Sequence, residues 1–465
     1  MTVLKHECQS SGAGSAAPSR ALGATAASPS VLARMIVRPG APVRGTILAP
    51  GDKSLSHRIS LLASLCEGVS QVHGFLRSDD TGIILEALTA LGASYSWRGE
   101  VLTIRGGRWR APERALDLGN SGTGMRLLAG LLAGQPFATT LTGDRSLSSR
   151  PMRRIAEPLL RMGAKVELTE PAGTAPLRIA GGALRGIEYR TPVASAQVKS
   201  CVLLAGLFAE GRTRLIEPAP TRDHTERVLR ALGVAVRSEG TLIELDGCGP
   251  AGPRLAARDW TVPRDFSSAA FWIAMAAAWP GARMTLPGIG INPRRAALLG
   301  VLTRMGAQLR VTPEPDDGCG EPVATIQVDG ALLHGTEVGG AEIPDLIDEL
   351  PLVAVLGALA QGRTTIRDAA ELRVKESDRI ASVVDNLRRF GAEAEANADG
   401  LTVEGPLTPL GGVTISSYGD HRLPMAMSLL ALRAAGPVEF EDVGCMAKSY
   451  PEFWRDLREV GGNAG

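Results

Sequence analysis

A basic set recurs at one kind of place along this chain. Lys53, Arg58, Arg126, Arg150, Lys199, Arg222, Lys375, Arg379, Arg422 and Lys448 fall at the polar starts of apolar segments or just ahead of amphipathic ones. In a chain of formal net charge +1 this placement is not a by-product of general basicity. Guanidinium forks match carboxylates and phosphates bidentately, while a lysine ammonium supplies a point charge. Such a set is suited to one or two small molecules carrying phosphate and carboxylate. Asn120-Ser121-Gly122-Thr123-Gly124 adds residues small enough for a ligand to reach backbone N–H groups, although Asn and Ser are also ordinary helix caps. This stretch is neither a G-x-x-x-x-G-K-[ST] loop nor a G-x-G-x-x-G turn, so nothing points to ATP or a dinucleotide.

Carboxylates are fewer at these places: Asp345, Asp348 and Glu349 at one start, Glu376 and Asp378 at another. An acid opening a helix is ordinarily a cap. Among so many cations one could instead take a proton from a substrate hydroxyl, and Asp348 and Glu376 are the candidates. His57 and His421 flank the same positions and read as structural groups or helix-start donors. No G-x-S-x-G elbow occurs.

The elements that must position these groups are six apolar segments: SLSHRISLLASLCEG, NSGTGMRLLAGLLAG, SAQVKSCVLLAGLFAEG, DFSSAAFWIAMAAAWPG, DELPLVAVLGALAQG and DHRLPMAMSLLALRAAG. Each opens with polar residues and runs to a glycine (Gly68, Gly134, Gly211, Gly281, Gly362, Gly436). Between them, amphipathic segments end at Gly92, Gly163, Gly233, Gly306, Gly391 and Gly461, a spacing of about 70 residues with one longer step before Gly391, as in a unit used repeatedly. Stretches such as AKVELTE and VAVRSEGTLIELDG alternate like half-exposed strands. An α/β class follows, with apolar helices enclosed, amphipathic helices such as 379–390 covering a sheet from outside, and a crossing between halves near Pro253 and Pro263. Enclosed helices with polar starts aim free N–H groups and a positive dipole end outward, so several converging would trap anions.

Composition excludes other classes. Balanced charge and only 4% aromatics argue against nucleic acid. The longest apolar runs fall short of a membrane span. Six scattered cysteines show neither C-x-x-C nor zinc-type spacing, which fits a reduced, cytoplasmic protein with Cys66 and Cys201 as packing residues. Residues 1–35, rich in Ala, Ser and Gly, read as a disordered tail, with an upstream start before Met35 or a transit peptide as other accounts.

The motifs PGDKSLSHR, LGNSGTGMR, GDRSLSSRPM, SAQVKS, TRDHTE, LRVKESDR, GDHR and AKSYPEFW resemble those of the 5-enolpyruvylshikimate-3-phosphate synthase family, from about Met35 to the C-terminus. The resemblance implies a two-domain inside-out α/β barrel, each domain made of three βαβ-containing repeats with buried helices and outer sheets. One domain would be 52–263, the other 36–51 with 264–465, and the substrates would lie in the cleft. It implies transfer of the enolpyruvyl group of phosphoenolpyruvate to the 5-hydroxyl of shikimate 3-phosphate, with no metal or organic cofactor, in a cytoplasmic monomer. Shikimate 3-phosphate would be held by Lys53, Ser54, Arg58, Ser195, Ala196, Gln197, Arg222, Asp348 and Lys375. Phosphoenolpyruvate would be held by Lys53, Gly122, Arg150, Gln197, Arg379, Arg422 and Lys448. Lys53, Asp348 and Glu376 would be catalytic.

Departures from the family pattern are Ala196, where a second serine is common, and Glu371, where some relatives have asparagine. Gly122 matches the form that admits glyphosate. The related UDP-N-acetylglucosamine enolpyruvyl transferases typically carry a cysteine on the loop corresponding to 143–150, which here has none. A non-catalytic clamp of the same repeats would carry charge without the acid and base groups that Lys53, Asp348 and Glu376 supply.

Overall fold

The computed structural model describes residues 34–315 and 318–465, so the expected tail lies outside the described residues except for its last two. Of these, Met35 is not disordered: it begins the strand Met35–Arg38, which pairs antiparallel with both Val438–Glu441 and Asn463–Ala464.

One unit shows how the others are made. The strand Leu116–Asp117 leads into the helix Gly122–Ala133, which returns to Ala138–Thr142 lying parallel to the first strand. The helix Arg153–Met162 and the hairpin Lys165–Thr169 and Thr174–Ala180 then complete a four-stranded sheet. Parallel neighbours require such a crossover, and here the crossover is the buried helix. Six four-stranded sheets and one two-stranded sheet are formed among the described residues.

The inner helices are Lys53–Ala63, Gly122–Ala133, Ala196–Gly206, Phe266–Ala277, Leu350–Leu359 and Arg422–Ala431. Their starts are fixed locally. The side chains of Asp52, Ser121, Ser195 and Asp265 accept from backbone N–H groups of the first turn, and Pro351 sits where a helix needs no donor. The whole of Phe266–Ala277 and of Leu350–Leu359 is buried, as all-round apolarity requires. Gly134 caps Gly122–Ala133 as expected, but other expected glycine stops are displaced: the first helix ends at Ala63 and Gly68 opens the next strand. Glycines of the second set do close the amphipathic helices in left-handed conformation, Gly163 at φ 105° and Gly391 at φ 91°.

Those amphipathic helices do not cover a sheet from outside. The strand Gly68–His73 buries only Ser70 and Val72 and leaves Val69, Gln71 and His73 exposed on its outer face, which no helix of the described residues covers. Instead Arg153–Met162 packs against the inner helix Ala196–Gly206 and the strand Lys165–Thr169.

Two hydrophobic cores result. One gathers residues from Leu55 to Val262 together with Cys319; the other takes Val37, Val43, Ile47 and Ala49 with residues from Phe266 to Ala464. Leading strands are exchanged between them. Arg44–Thr46 pairs with Arg283–Gly290 in the second group, yet the helix it leads into, Lys53–Ala63, packs in the first. Trp260–Thr261 pairs with Gly68–His73 in the first, yet leads into Phe266–Ala277 in the second. The connections run side by side, bridged at Gly51 and Arg264, with Asp52 N–H donating to Pro263 and Asp265 N–H to Pro50. The crossing is therefore at Val262–Asp265; the stretch beyond Pro253 still pairs with the first sheet through Ala256 and Glu67. The longer step before Gly391 begins in a long hairpin, Gln308–Glu314 with Val323–Asp329.

Glycine also sets how near the inner helices approach. A Cβ at Gly130 would strike the carbonyl of Cys201 on the neighbouring inner helix, while one at the exposed helical Gly300 would meet nothing. Gly130→Ala should cost about 1–3 kcal/mol by overpacking, and Gly300→Ala should gain about 0.5–1 kcal/mol. Urea midpoints of the two variants check both signs.

Candidate active site

The mouths of the inner helices meet at a cavity of about 350 Å³. Lys53, Ser54 and Arg58 reach it from the first inner helix, and Ser195, Ala196 and Gln197 from the start of the third. Arg150, Arg222, Asp348, Lys375 and Glu376 come from connections, and Arg379 and Arg422 from the first positions of their helices. Gly122 and Lys448 are not on the lining. A Cβ on Gly122 would lie 3.0 Å from Arg150 Nη1 and 3.1 Å from Arg126 Nη1, so this glycine backs two guanidiniums that do line it. Lys448 Nζ donates to the Gly419 carbonyl at 3.3 Å, and its neighbour Ser449 lines the cavity. Lys199, read with the basic set, points away from the cavity and is buried between Glu217 and Glu226.

Carboxylates hold these cations together. Arg379, 1% exposed, reaches Asp420 at 2.7 Å, Glu376 at 2.7 Å and Asp348 at 3.3 Å. Asp348 also meets Arg222 at 2.8 Å, Arg295 at 3.2 Å and Arg422 at 3.7 Å. Burial alone would raise its carboxyl, but Arg422, Arg222, Arg295 and Arg379 outweigh burial and hold it well below the ordinary range. Glu376 behaves alike: burial opposes ionisation, yet Arg379 and Arg150 keep it well below its usual value. Burial, helped by Arg150 and Arg154, pulls Arg126 down to about 10. Lys375 is lowered chiefly by burial. Several pairs join the two cores, namely Arg222 with Asp348, Arg150 with Glu376 at 3.7 Å and Arg154 with Glu371 at 3.4 Å. Asp378, by contrast, is an ordinary cap, accepting from Ala381 N–H and pairing with Arg373. Among the described residues no three His, Cys, Asp or Glu side chains gather as a metal site, and no helix is long and apolar enough to cross a membrane.

Residues 37–457 match the family model for EPSP synthase (3-phosphoshikimate 1-carboxyvinyltransferase). The chain belongs to the EPSP synthase family. The 3-phosphoshikimate 1-carboxyvinyltransferase of Akkermansia muciniphila is 48% identical over 432 residues, covering 90% of this chain and 97% of that protein. That of Desulforamulus reducens is 45% identical over 430 residues, covering 92% and 99%. Among solved structures, an EPSP synthase from Acinetobacter baumannii aligns with a TM-score of 0.82 at 43% identity, covering 93% of this chain and 99% of that one. The enolpyruvyl transferase NikO from Streptomyces tendae aligns at 0.76 with 20% identity over 93% and 98%, a likeness of fold. The architecture is thus the two-domain inside-out α/β fold of EPSP synthases.

Within this EPSP synthase fold some cavity groups escaped the sequence reading. Arg295, 3% exposed, bridges Asp348 to Asp265, which caps the fourth inner helix and accepts from Lys53 N–H at 3.1 Å. It lies just ahead of the fourth amphipathic helix, so the placement rule that found the others would have found it. Two groups the sequence did mark are joined here: Arg126 donates to Gln197 Oε1 at 2.6 Å, and Gln197 donates to Thr123, which fixes the amide. Asp420, fully buried, holds Arg379 from behind and had no signal beyond its place before His421. Arg154 and Glu371 were equally unmarked as a pair.

His57 ties two helix mouths together. Its Nδ1–H donates to the Lys53 carbonyl at 2.7 Å, which leaves Nε2 to accept from Ser121 Oγ at 3.0 Å. That neutral tautomer agrees with a pKa lowered to about 4, chiefly by burial. The unfolded chain therefore binds a proton here between pH 6.5 and about 4 that the folded chain refuses, so stability is lost as pH falls through that window. The stability advantage of the wild type over His57→Asn should shrink by up to roughly 3 kcal/mol from pH 7 to pH 4. Parallel urea-midpoint curves for the two proteins would contradict a neutral buried imidazole.

Proposed function

We infer that this chain transfers the enolpyruvyl group of phosphoenolpyruvate to the 5-hydroxyl of shikimate 3-phosphate and releases phosphate. Membership of the EPSP synthase family carries the reaction. The observation that supports its location here is the single cavity in which Lys53, Arg58, Arg150, Arg222, Arg379 and Arg422 converge with Asp348 and Glu376.

In this reading the domains are 52–263 and 36–51 with 264–465. Lys53, Ser54, Arg58, Ser195, Arg222 and Lys375 hold shikimate 3-phosphate, with Ala196 contributing only its backbone. Lys53, Gln197, Arg150, Arg379 and Arg422 hold phosphoenolpyruvate, with Gly122 and Lys448 behind that wall. Two substrates of like charge repel, and the guanidiniums offset that repulsion at fixed positions before they meet. The 5-hydroxyl oxygen attacks C2 while its proton passes to Asp348 and C3 gains a proton from the Lys53 ammonium, with the Glu376 carboxylate beside the methylene. C3 then loses a proton as the C2–O bond to phosphate breaks, leaving the new vinyl ether and inorganic phosphate.

A carboxylate held well below its ordinary range is a poor base. Asp348 becomes a better one when substrate anions draw Arg222, Arg379 and Arg422 toward themselves, because lost positive neighbours raise its proton affinity. Each substrate thereby strengthens the base, and the effect is greatest when both are in place. We place the protein in the cytoplasm, which the buried thiols of Cys66 and Cys201, outside any disulfide, support, burial pushing them up to about 11 and about 12, and we take it to act as a monomer.

Phosphate release from phosphoenolpyruvate should require shikimate 3-phosphate and proceed in buffer containing a chelator; no release, or release only with added metal, would overturn the reading. Lys53→Met and Arg150→Ala should each lower kcat/KM at least 100-fold with unchanged unfolding midpoints. Near-native turnover in either variant removes that residue from the site.

A further inference from the structure

Behind the wall of the cavity lies a second, fully enclosed charge cluster that the reaction does not use. Lys199, on the third inner helix, is 2% exposed and spends its three N–H donors on three oxygens. These are Glu217 Oε2 at 3.0 Å, Glu226 Oε1 at 2.9 Å and the Thr221 carbonyl at 3.0 Å. Glu217, 4% exposed, in turn accepts from both the backbone N–H and the hydroxyl of Thr221. The segment Glu217-Pro218-Ala219-Pro220-Thr221 is thus wound round one carboxylate, stiffened by two prolines and fastened to the helix by one ammonium.

What this segment delivers is the next residue, Arg222, whose guanidinium stands 2.8 Å from Asp348 across the cavity. The same cluster reaches the other side of the site. Ser200, adjacent to Lys199, and Thr225, adjacent to Glu226, share a hydrogen bond of 2.7 Å and both accept from Arg58, at 2.8 Å each. A buried ion cluster contributes little net stability compared with a well-packed apolar one, so its position between two substrate-facing arginines calls for another explanation than folding.

We propose that Lys199 and Glu217 are positioning residues for shikimate 3-phosphate: through Thr221 they fix the backbone that carries Arg222, and so set where the substrate phosphate is held. The inference rests on Arg222 being a ligand of that phosphate. Neither residue touches substrate, and both act through a rigid loop whose displacement by an ångström would misplace a guanidinium fork. Phosphoenolpyruvate, held by arginines from other elements, lies outside their reach.

Removing Lys199 alone would leave two buried carboxylates facing one another, so the test avoids that variant. Thr221→Val deletes the hydroxyl that winds the loop while keeping side-chain shape. Lys199→Met with Glu217→Gln removes the ion pair without stranding Glu217 as a charge and leaves Glu226, whose carboxyl burial already pushes up, to take a proton. Each should raise KM for shikimate 3-phosphate about tenfold, the equivalent of one misaligned charge-assisted hydrogen bond, with KM for phosphoenolpyruvate and kcat within twofold of wild type. Arg222→Ala, measured alongside, should raise the same KM further. If the double variant fails to fold, Thr221→Val decides alone. If Arg222→Ala raises KM for shikimate 3-phosphate while Thr221→Val and any folded double variant leave it unchanged, or change only the melting temperature, the positioning role is wrong. If Arg222→Ala itself leaves that KM unchanged, the assignment of Arg222 has failed and the present inference falls with it.

Discussion

Repulsion among like charges is the constraint on which this molecule turns. Two unit charges about 5 Å apart at an effective dielectric near 20 repel by roughly 3 kcal/mol, and several such pairs would rival the whole stability of a domain, about 5–15 kcal/mol. Arg379, Arg422, Arg222 and Arg295 nonetheless share one carboxylate, Asp348. This crowding is tolerable because Asp348, Glu376, Asp420 and Asp265 are interleaved with the guanidiniums. In the proposed reaction, substrates with several negative charges would replace part of that internal neutralisation, so that one arrangement would serve both folding and binding.

The backbone makes this crowding possible by directing inner helix starts to one place. Each start brings free N–H groups, four of the six with a capping side chain, and the exchanged leading strands bring the starts at Lys53 and Phe266 side by side. Asp265 illustrates the economy of the join: it caps one inner helix, accepts from the first residue of another and anchors Arg295. His57 does comparable work between the first and second inner helices. Geometry at the site is therefore inherited from secondary structure and not from long mobile side chains alone.

Much of this was legible in the sequence, for identifiable reasons. The recurring unit showed because all-round apolar helices and left-handed glycine caps are strong local signals, as at Phe266–Ala277 and Gly163. Helix ends were less legible. Gly68 belongs to the following strand, and nothing local distinguishes a glycine that ends a helix from one a few residues beyond. The outer helices were misassigned to the outside of a sheet, because amphipathicity fixes that one face is buried but not against what. Basic residues at helix mouths could be found by position, yet Lys199 shares their placement and turns into the interior, a choice made by Glu217 and Glu226 from distant stretches of chain. Asp420 and the pairing of Arg154 with Glu371 were invisible for the same reason, since they depend on contacts far apart in sequence.

The most direct test is a crystal structure of the protein with shikimate 3-phosphate bound. The ligand's phosphate should sit within hydrogen-bond distance, about 3 Å, of Arg222, with Arg222 drawn off Asp348 and the ligand's 5-hydroxyl at the Asp348 carboxylate. A ligand bound outside the cavity, or one inside it that leaves the Arg222–Asp348 pair at its present 2.8 Å, would contradict the idea that substrate anions displace internal carboxylates.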